Sequence, residues 1–326
     1  DKGLHNESID LGFNHKSGLF VNGGYTRNNH GGWQGDLTGR EKRWHPKDQA
    51  LMNGMFGFQN RNMNVWYRLD FLDEKIFGPN NGSELQPEKV SDKDFLTKRY
   101  THQLQSDWKL DNRLDVHAAL SYQDYKRRTR TTESDLSTGE KWLSSAEASQ
   151  DITQYKAWIA RATVAWNIAP EFSVQPGVEY QWTQGEGGRI DGTPKVSDLA
   201  FFLSAEYRPW EWLSLRPGVR TFIVADYDAP IAIPSVLTKF KLTKHMDLRL
   251  SYAYGFRSPT LQELYFSFHN DNHDIDGNPD LKAEYSHNIT GSVAYRVLHS
   301  EKIHLTTTLS GFYNDFRDKI SLAQNV

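Results

Sequence analysis

The sequence predicts an all-β chain: an antiparallel transmembrane β-barrel, with about fourteen strands present. Three observations point there. The mean hydropathy is −0.70 and only 37% of residues are hydrophobic, yet the chain carries 10 Trp, 15 Tyr and 17 Phe. Apolar and polar residues alternate with period two through many windows. Short and long connections between those windows alternate along the whole chain, as the turns and loops of a barrel do. A large soluble β-protein fits the composition equally well; the alternation of connections separates the two, because a β-sandwich has no reason to keep it.

Composition excludes several classes. A membrane helix needs about 20 consecutive apolar residues, and no stretch of the chain approaches that. Lys+Arg 38 against Asp+Glu 41 leaves a net charge of −3, without the basic surplus of a nucleic-acid binder. There is no cysteine, so disulfide scaffolds and thiolate metal sites are out. No Gly-x-Ser-x-Gly, His-Glu-x-x-His or phosphate loop occurs, and no enzyme activity is expected. Asp1-Lys2-Gly3 opens the chain without a signal peptide, and Ser321-Leu322-Ala323-Gln324-Asn325-Val326 closes it without the aromatic end usual in outer-membrane barrels. We therefore expect a segment of a longer protein, and one domain over 1–326, since no linker divides it.

Four windows show the alternation best. Leu114, Val116, Ala118, Leu120 and Tyr122 share one face against Asp115, His117, Ala119 and Ser121. Phe172, Val174, Pro176, Val178, Tyr180 and Trp182 face away from Ser173, Gln175, Gly177, Glu179 and Gln181. Met246–Tyr254 and Ile303–Leu309 repeat the pattern. Short turns are expected near Lys16-Ser17-Gly18, Arg61-Asn62, Asp111-Asn112, Ala169-Pro170, Pro209-Trp210-Glu211, Thr243-Lys244 and His299-Ser300. Longer polar connections lie between, near 27–47, 73–97, 129–151, 185–196, 226–231 and 257–282. Seven turns make seven hairpins. Phe172–Val178 and Leu213–Val219 echo each other, each with Pro-Gly interrupting the ladder. No segment shows a helical period.

The stretch Tyr252-Ala253-Tyr254-Gly255-Phe256-Arg257-Ser258-Pro259-Thr260-Leu261-Gln262-Glu263-Leu264-Tyr265 runs from a strand into the longest connection, which closes with Gly277-Asn278-Pro279-Asp280-Leu281-Lys282-Ala283-Glu284-Tyr285-Ser286. The pair resembles the barrel signature of TonB-dependent outer-membrane receptors, carried by Phe256, Arg257 and Pro259 and then by Asn278, Pro279, Leu281 and Glu284. Ser258 stands where Ala is commoner, and Ala283 where Pro is usual. The resemblance implies energised import across a Gram-negative outer membrane, through a barrel of about 22 strands filled by a plug. It also implies a TonB energising complex as partner, contact with outer-membrane lipid, and a small or medium-sized ligand; a surface lipoprotein is a further candidate partner. The plug is not in this chain. Read without the family, the boxes are structural: Arg257 and Glu284 sit on adjacent strands and can pair, and Asn278-Pro279-Asp280 forms a turn.

Between the boxes lies Phe268-His269-Asn270-Asp271-Asn272-His273-Asp274-Ile275-Asp276. In haem receptors of this family a histidine at this place commonly ligates iron, so the resemblance makes His269 and His273 ligand candidates for haem or another iron complex. The plain alternative is a solvated loop with two histidines. Asn272, Asp274 and Asp276, followed by Gly277, also open like a calcium loop; Ala283 fills its twelfth position and Glu284 comes one residue late. Trp33, Trp44 and Trp142 lie on other long connections, where an aromatic ring stacks on a flat ligand or packs the loops together. Inner-face charges at Arg161, Glu179, Arg216, Arg220, Asp247 and Arg249 are expected to be paired. The reading is thus a receptor for a scarce, large nutrient, haem or another iron complex first, with no cofactor required. Cobalamin or a glycan is the alternative within the family, a passive channel of about fourteen strands the alternative outside it, and an adhesin-like β-protein comes third.

Overall fold

The computed structural model describes residues 3–146, 148–224, 227, 229–270, 273–299 and 303–322. Its strands, in chain order, are β1 (Leu4–Asn14), β2 (Leu19–His30), β3 (Lys47–Gln59), β4 (Met63–Gly78), β5 (Lys89–Lys109), β6 (Leu114–Asp135), β7 (Lys141–Leu143), β8 (Ile152–Ala169), β9 (Phe172–Glu186) and β10 (Lys195–Trp210). They continue with β11 (Leu213–Val224), β12 (Ile233–Lys241), β13 (Met246–Arg257), helix α1 (Leu261–Tyr265), β14 (Ser267–Asn270), β15 (His273–Asp276), β16 (Glu284–His299) and β17 (His304–Arg317). Leaving aside the loop strands β7, β14 and β15, each strand pairs antiparallel with the next in one uninterrupted meander. β1 and β17 each have one partner, so both sheet edges are open. Among the described residues no helix is long and apolar enough to cross a membrane.

Six of the seven expected turns fall in described residues and are present, and two of them are held by side chains that cap the backbone. Asn60 Oδ1 accepts from the Asn62 and Met63 amides, both at 2.8 Å. Asp111 Oδ1 does the same for Arg113 at 2.6 Å and Leu114 at 2.9 Å. These Asx turns hold the hairpin ends that Asn and Asp favour. Ser300 and part of 226–231 lie outside the described residues. On the other side the strands run further than alternation alone shows: β5 has 21 residues and β6 22, against about 9–11 needed to cross a bilayer. The connections expected at 73–97 and 129–151 therefore shrink, their outer parts being paired strand.

Cross-strand register makes the two faces explicit. One row reads Phe13, Val21, Phe56, Tyr67, Leu104, Leu120, Ala160, Tyr180, Leu199 and Ile223 across ten adjacent strands. Phe13, Val21, Phe56, Leu104, Leu120, Tyr180 and Ile223 of this row are exposed and Tyr67 and Leu199 half-buried, as fits a lipid-facing belt. Near the short turns Trp210 and Trp212 stack at 5.1 Å, and Trp108 and Trp166 are exposed at equivalent heights; such rings mark a membrane interface. On the opposite, inner face Glu179 is buried between Arg220 at 2.6 Å and Arg161 at 3.4 Å. Arg216 meets Glu206 at 2.8 Å, and Asp247 meets Lys239 at 3.5 Å. Five of the six inner charges expected to be paired thus have a partner, while Arg249 stands opposite Lys239 with no ion pair of its own within 4.0 Å among the described residues. At the echoed hairpin, a side chain on Gly177 would collide with the Phe202 ring, which also carries the Arg161 guanidinium at 4.9 Å; glycine leaves the room that ring occupies.

Candidate functional site

The connection between β13 and β16 is built, not loose. Arg257 and Glu284 are register partners, and Arg257 Nε donates to Glu284 Oε2 at 2.7 Å. The other end of the same guanidinium forks onto Glu263, Nη1 to Oε2 at 2.9 Å and Nη2 to Oε1 at 3.1 Å. Planar two-point recognition of this kind is what arginine offers and lysine does not. The Arg257 bond holds the Glu284 carboxyl down at about 2, helped by the Ile320 amide, against the opposing effect of desolvation. Burial raises Glu263, but Arg257 and Thr260 outweigh it and leave that carboxyl lowered as well.

Glu263 belongs to α1, the one departure from an all-strand reading. Thr260 and Glu263 form a capping box: the Thr260 side chain accepts from the Glu263 amide, and the Glu263 carboxylate accepts from the Thr260 amide at 2.7 Å. Five residues are too few to show a period, so the only local signal is Thr-x-x-Glu itself. Leu261 and Leu264 point inward and are buried. The helix lies against the inner face of strands distant in sequence: Gln262 Nε2 donates to the Tyr155 hydroxyl on β8 at 2.7 Å. Residues 187–194 are stitched to it by Asp191 N to Tyr265 O at 3.0 Å and Ser267 N to Arg189 O at 3.1 Å. The loop therefore crosses the inner mouth from β13 and β16 to β8 and β9.

The second box locks the return. Gly277 sits where a Cβ would be 2.7 Å from the Leu264 backbone carbon and 2.8 Å from its oxygen; only glycine fits so close to α1. The Asn278 amide donates to Glu263 O at 2.9 Å. Asn278 Oδ1 accepts from the Asp280 amide at 2.9 Å, closing the expected Asx turn with Pro279 at its exposed corner. Pro259 and Ala283 are buried and Leu281 half-buried, while Phe256 packs on Phe222 at 4.8 Å. All seven signature residues thus belong to the loop's frame.

The frame carries a hairpin, β14–β15, in a stretch that reads from sequence as plain polar loop. At its exposed tip His269 is held on both ring nitrogens: Nδ1 by Asp274, and Nε2 by Asp276 at 3.1 Å and the Ser267 hydroxyl at 3.1 Å. The Asp274 hydrogen bond and the Asp276 charge raise the affinity of the ring for its proton. These three residues form a group whose ligating atoms lie within 4.8 Å of one another. A carboxylate on Nδ1 fixes the tautomer of a neutral ring, in which Nε2 is the nitrogen with a lone pair to offer. His273 enters through its backbone, paired with Asn270, and Asn272 lies outside the described residues. A cation on Asp274 and Asp276 competes with His269 for the same oxygens. Beside the hairpin the Arg189 guanidinium lies over the Phe268 ring at 4.1 Å.

Trp33 is elsewhere, on the 31–46 connection. It pairs by backbone with Trp44, their rings 5.3 Å apart and both exposed. Sequence reasoning missed what anchors that loop: Arg40 chelates Asp92, with Nη1 to Oδ1 at 2.9 Å, and donates to the Asn80 carbonyl at 2.8 Å. Its partners are 40 and 52 residues away, and no local motif announces them. Trp142 is exposed on β7, apart from both groups.

Comparison with known proteins agrees with this architecture. The family described as TonB dependent receptor-like, beta-barrel, matches residues 175–326. The hemoglobin and hemoglobin-haptoglobin-binding protein C of Haemophilus influenzae is 38% identical over 82 residues, 25% of this chain and 7% of that protein. The siderophore receptor PirA of Pseudomonas aeruginosa superposes with a TM-score of 0.71 at 13% identity, covering 96% of this chain and 52% of that one. A ferric enterobactin receptor mutant (PfeA) of the same organism gives 0.68 at 14% identity, with 96% and 50% covered. The chain spans about half the length of these solved structures and a small part of the curated relative.

Proposed function

We propose that this chain, which belongs to the β-barrel family of TonB-dependent receptors of the Gram-negative outer membrane, is the ligand-gathering wall of a receptor that imports haem or another iron complex. The observation that carries the reading is the His269 arrangement: an exposed imidazole on a paired β14–β15 hairpin with a carboxylate on Nδ1. Imidazole nitrogen is a good iron ligand, and a carboxylate behind it strengthens the bond. For haem to bind, Nε2 exchanges Asp276 and Ser267 for iron while Asp274 keeps the ring oriented. The partial similarity to haemoglobin-binding proteins and the fold shared with siderophore receptors support iron as the cargo. Import then requires a plug and the TonB energising complex, which the family implies.

The test is a haem titration of the full-length receptor followed at the Soret band. His269→Ala is expected to remove the band shift or weaken binding more than tenfold, and His273→Ala to leave it. Unchanged spectra for His269→Ala sink the assignment of this residue. No Soret shift in the wild-type receptor sinks haem as the ligand.

A further inference from the structure

The lower inner wall holds more positive charge than its carboxylates neutralise, and the excess follows a pattern. Three acids there, on β9, β10 and β13, are each shared by two cations. Glu179 takes Arg220 at 2.6 Å and Arg161 at 3.4 Å. Glu206 takes Arg216 at 2.8 Å together with Arg208. Asp247 takes Lys239 at 3.5 Å and Arg296 at 3.9 Å. Arg249 faces Lys239 in the register and adds a cation with no carboxylate of its own. Seven cations therefore stand against three carboxylates in this group, an excess of four.

The acids lie beneath the cations. Side-chain exposure is 9% for Glu179, 15% for Asp247 and 21% for Glu206, against 46–59% for Arg161, Arg208, Arg216 and Arg296. Each carboxylate is thus seated on the wall and props two cationic heads toward the interior. The heads also descend in steps toward the short turns. Arg161 is eight residues from the end of β8 at Ala169, and Arg220 seven from the start of β11 at Leu213. Arg216 is three from Leu213, Arg249 three from Met246 and Lys239 two from Lys241. At about 3.3 Å per residue the series runs from roughly 25 Å down to roughly 7 Å above the strand ends. At its lower end Arg216, Lys239 and Arg249 line a cavity of about 1290 Å³ with Ser251, Thr290 and Ser292, hydroxyl residues on the same inner rows.

We infer that Arg161, Arg220, Arg216, Lys239 and Arg249 form a stepped path for an anionic cargo along the inner wall, with its last station at Lys239 and Arg249. The inference rests on reading the cargo as haem or another iron complex that bears carboxylates or other anionic groups. A cation that shares its carboxylate with a second cation keeps part of its charge for a passing anion. A series of such half-neutralised stations attracts an anion at every step and releases it at every step, which passage requires and a single tight site prevents. Lys239 and Arg249 stand directly opposite each other, where like charges repel; an anion placed between them turns that repulsion into two charge-assisted contacts. The neighbouring hydroxyls add neutral donors. His269 lies at the other end of the wall, so capture and onward passage fall to different residues.

The experiment separates capture from passage in the full-length receptor. Binding is read by Soret titration of the purified protein, and passage as the energised uptake rate in cells at saturating ligand. The two probes are haem and its dimethyl ester, in which the carboxylates carry no charge. For Lys239→Gln/Arg249→Gln we expect haem uptake to fall about fivefold or more, with ester uptake and haem binding each within twofold of wild type. Arg249→Gln should show part of the fall and Arg249→Lys none of it. Heat-modifiable gel migration checks folding, and Arg249→Gln decides alone where the double variant does not fold, since it breaks no ion pair. Haem uptake within twofold of wild type in the folded double variant overturns the path. Equal slowing of haem and ester overturns it too, because the cations then hold the plug or the wall and not the cargo. A wild-type receptor that binds no haem strikes the ligand reading instead, and the same ratio is then taken between a trianionic ferric tris-catecholate and a neutral ferric tris-hydroxamate.

Discussion

Replacing Arg257 by Gln removes the one residue that ties β13, α1 and β16 together. Three charge-assisted bonds go at once: one to Glu284 and the fork to Glu263. Each such bond is worth about 1.5–3 kcal/mol when well buried, but Arg257 is 41% exposed and its partners 29% and 20%, so solvent screening reduces the sum. Two carboxylates left facing each other across the strand ends add repulsion. Together these give about 2–3 kcal/mol for opening the loop, and at about 1.4 kcal/mol per decade a 30- to 100-fold loss of protection. Hydrogen exchange in the full-length receptor reads it directly. The amides of Leu264, Phe266, Gly277 and Asn278, all bonded within the loop frame, should exchange 30- to 100-fold faster, with β5 and β6 unchanged. Arg257→Lys should recover less than half of the loss in free energy, since one ammonium cannot fork onto both partners. Loop protection within threefold of wild type in Arg257→Gln refutes the clasp.

The pH dependence of the same clasp has a definite sign. Glu284 titrates at about 2 in the folded loop against an ordinary 4.5, so its contribution is complete above pH 4.5 and fades as pH falls from there toward 2; carbon-13 NMR of the labelled carboxyl should find its midpoint below 3, and a midpoint near 4.5 contradicts the pairing. Gly277→Ala places a methyl within 2.7–2.8 Å of the Leu264 backbone and should cost about 1–3 kcal/mol of loop stability, seen as faster tryptic cleavage after the exposed Lys282; unchanged cleavage refutes the close approach.

How much of this was legible follows from the range of each interaction. Period-two alternation is local, and the windows at 114–122 and 172–182 lie in β6 and β9 with the predicted faces. Asn and Asp at turns act over two or three residues, so the hairpin ends were readable too. Arg257 and Glu284 were readable as a pair because they begin and end one loop. Glu263 as their common partner was not, because its role depends on a helical turn of only five residues. Arg40 and Asp92 are further apart again, and nothing in either neighbourhood marks them. His269 and Asp274 fall between these cases: all the residues of the hairpin are visible, but which of the two histidines receives the carboxylates depends on a pairing register that a polar, Asp- and Asn-rich stretch does not specify by alternation.

The loop therefore separates two jobs that the sequence interleaves. Phe256, Arg257, Pro259, Asn278, Pro279, Leu281 and Glu284 hold the frame, and each has a packing, turn or ionic role within it. On the proposed reading, ligand chemistry sits on the hairpin that the frame presents, where His269 is exposed and paired with Asp274 and Asp276. A frame carrying a short exposed tip allows the tip to vary at little cost to the wall, since the bonds that close the frame, apart from that of the Ser267 amide to Arg189 O, lie outside residues 267–276 and pass through Gly277 and α1. Ligand identity is then expected to follow substitutions within 267–276, whereas substitutions at the signature positions should weaken every ligand alike by opening the mouth. Measuring two chemically distinct ligands against one frame variant and one tip variant separates these outcomes: a frame variant that changes the ratio of the two affinities contradicts the division.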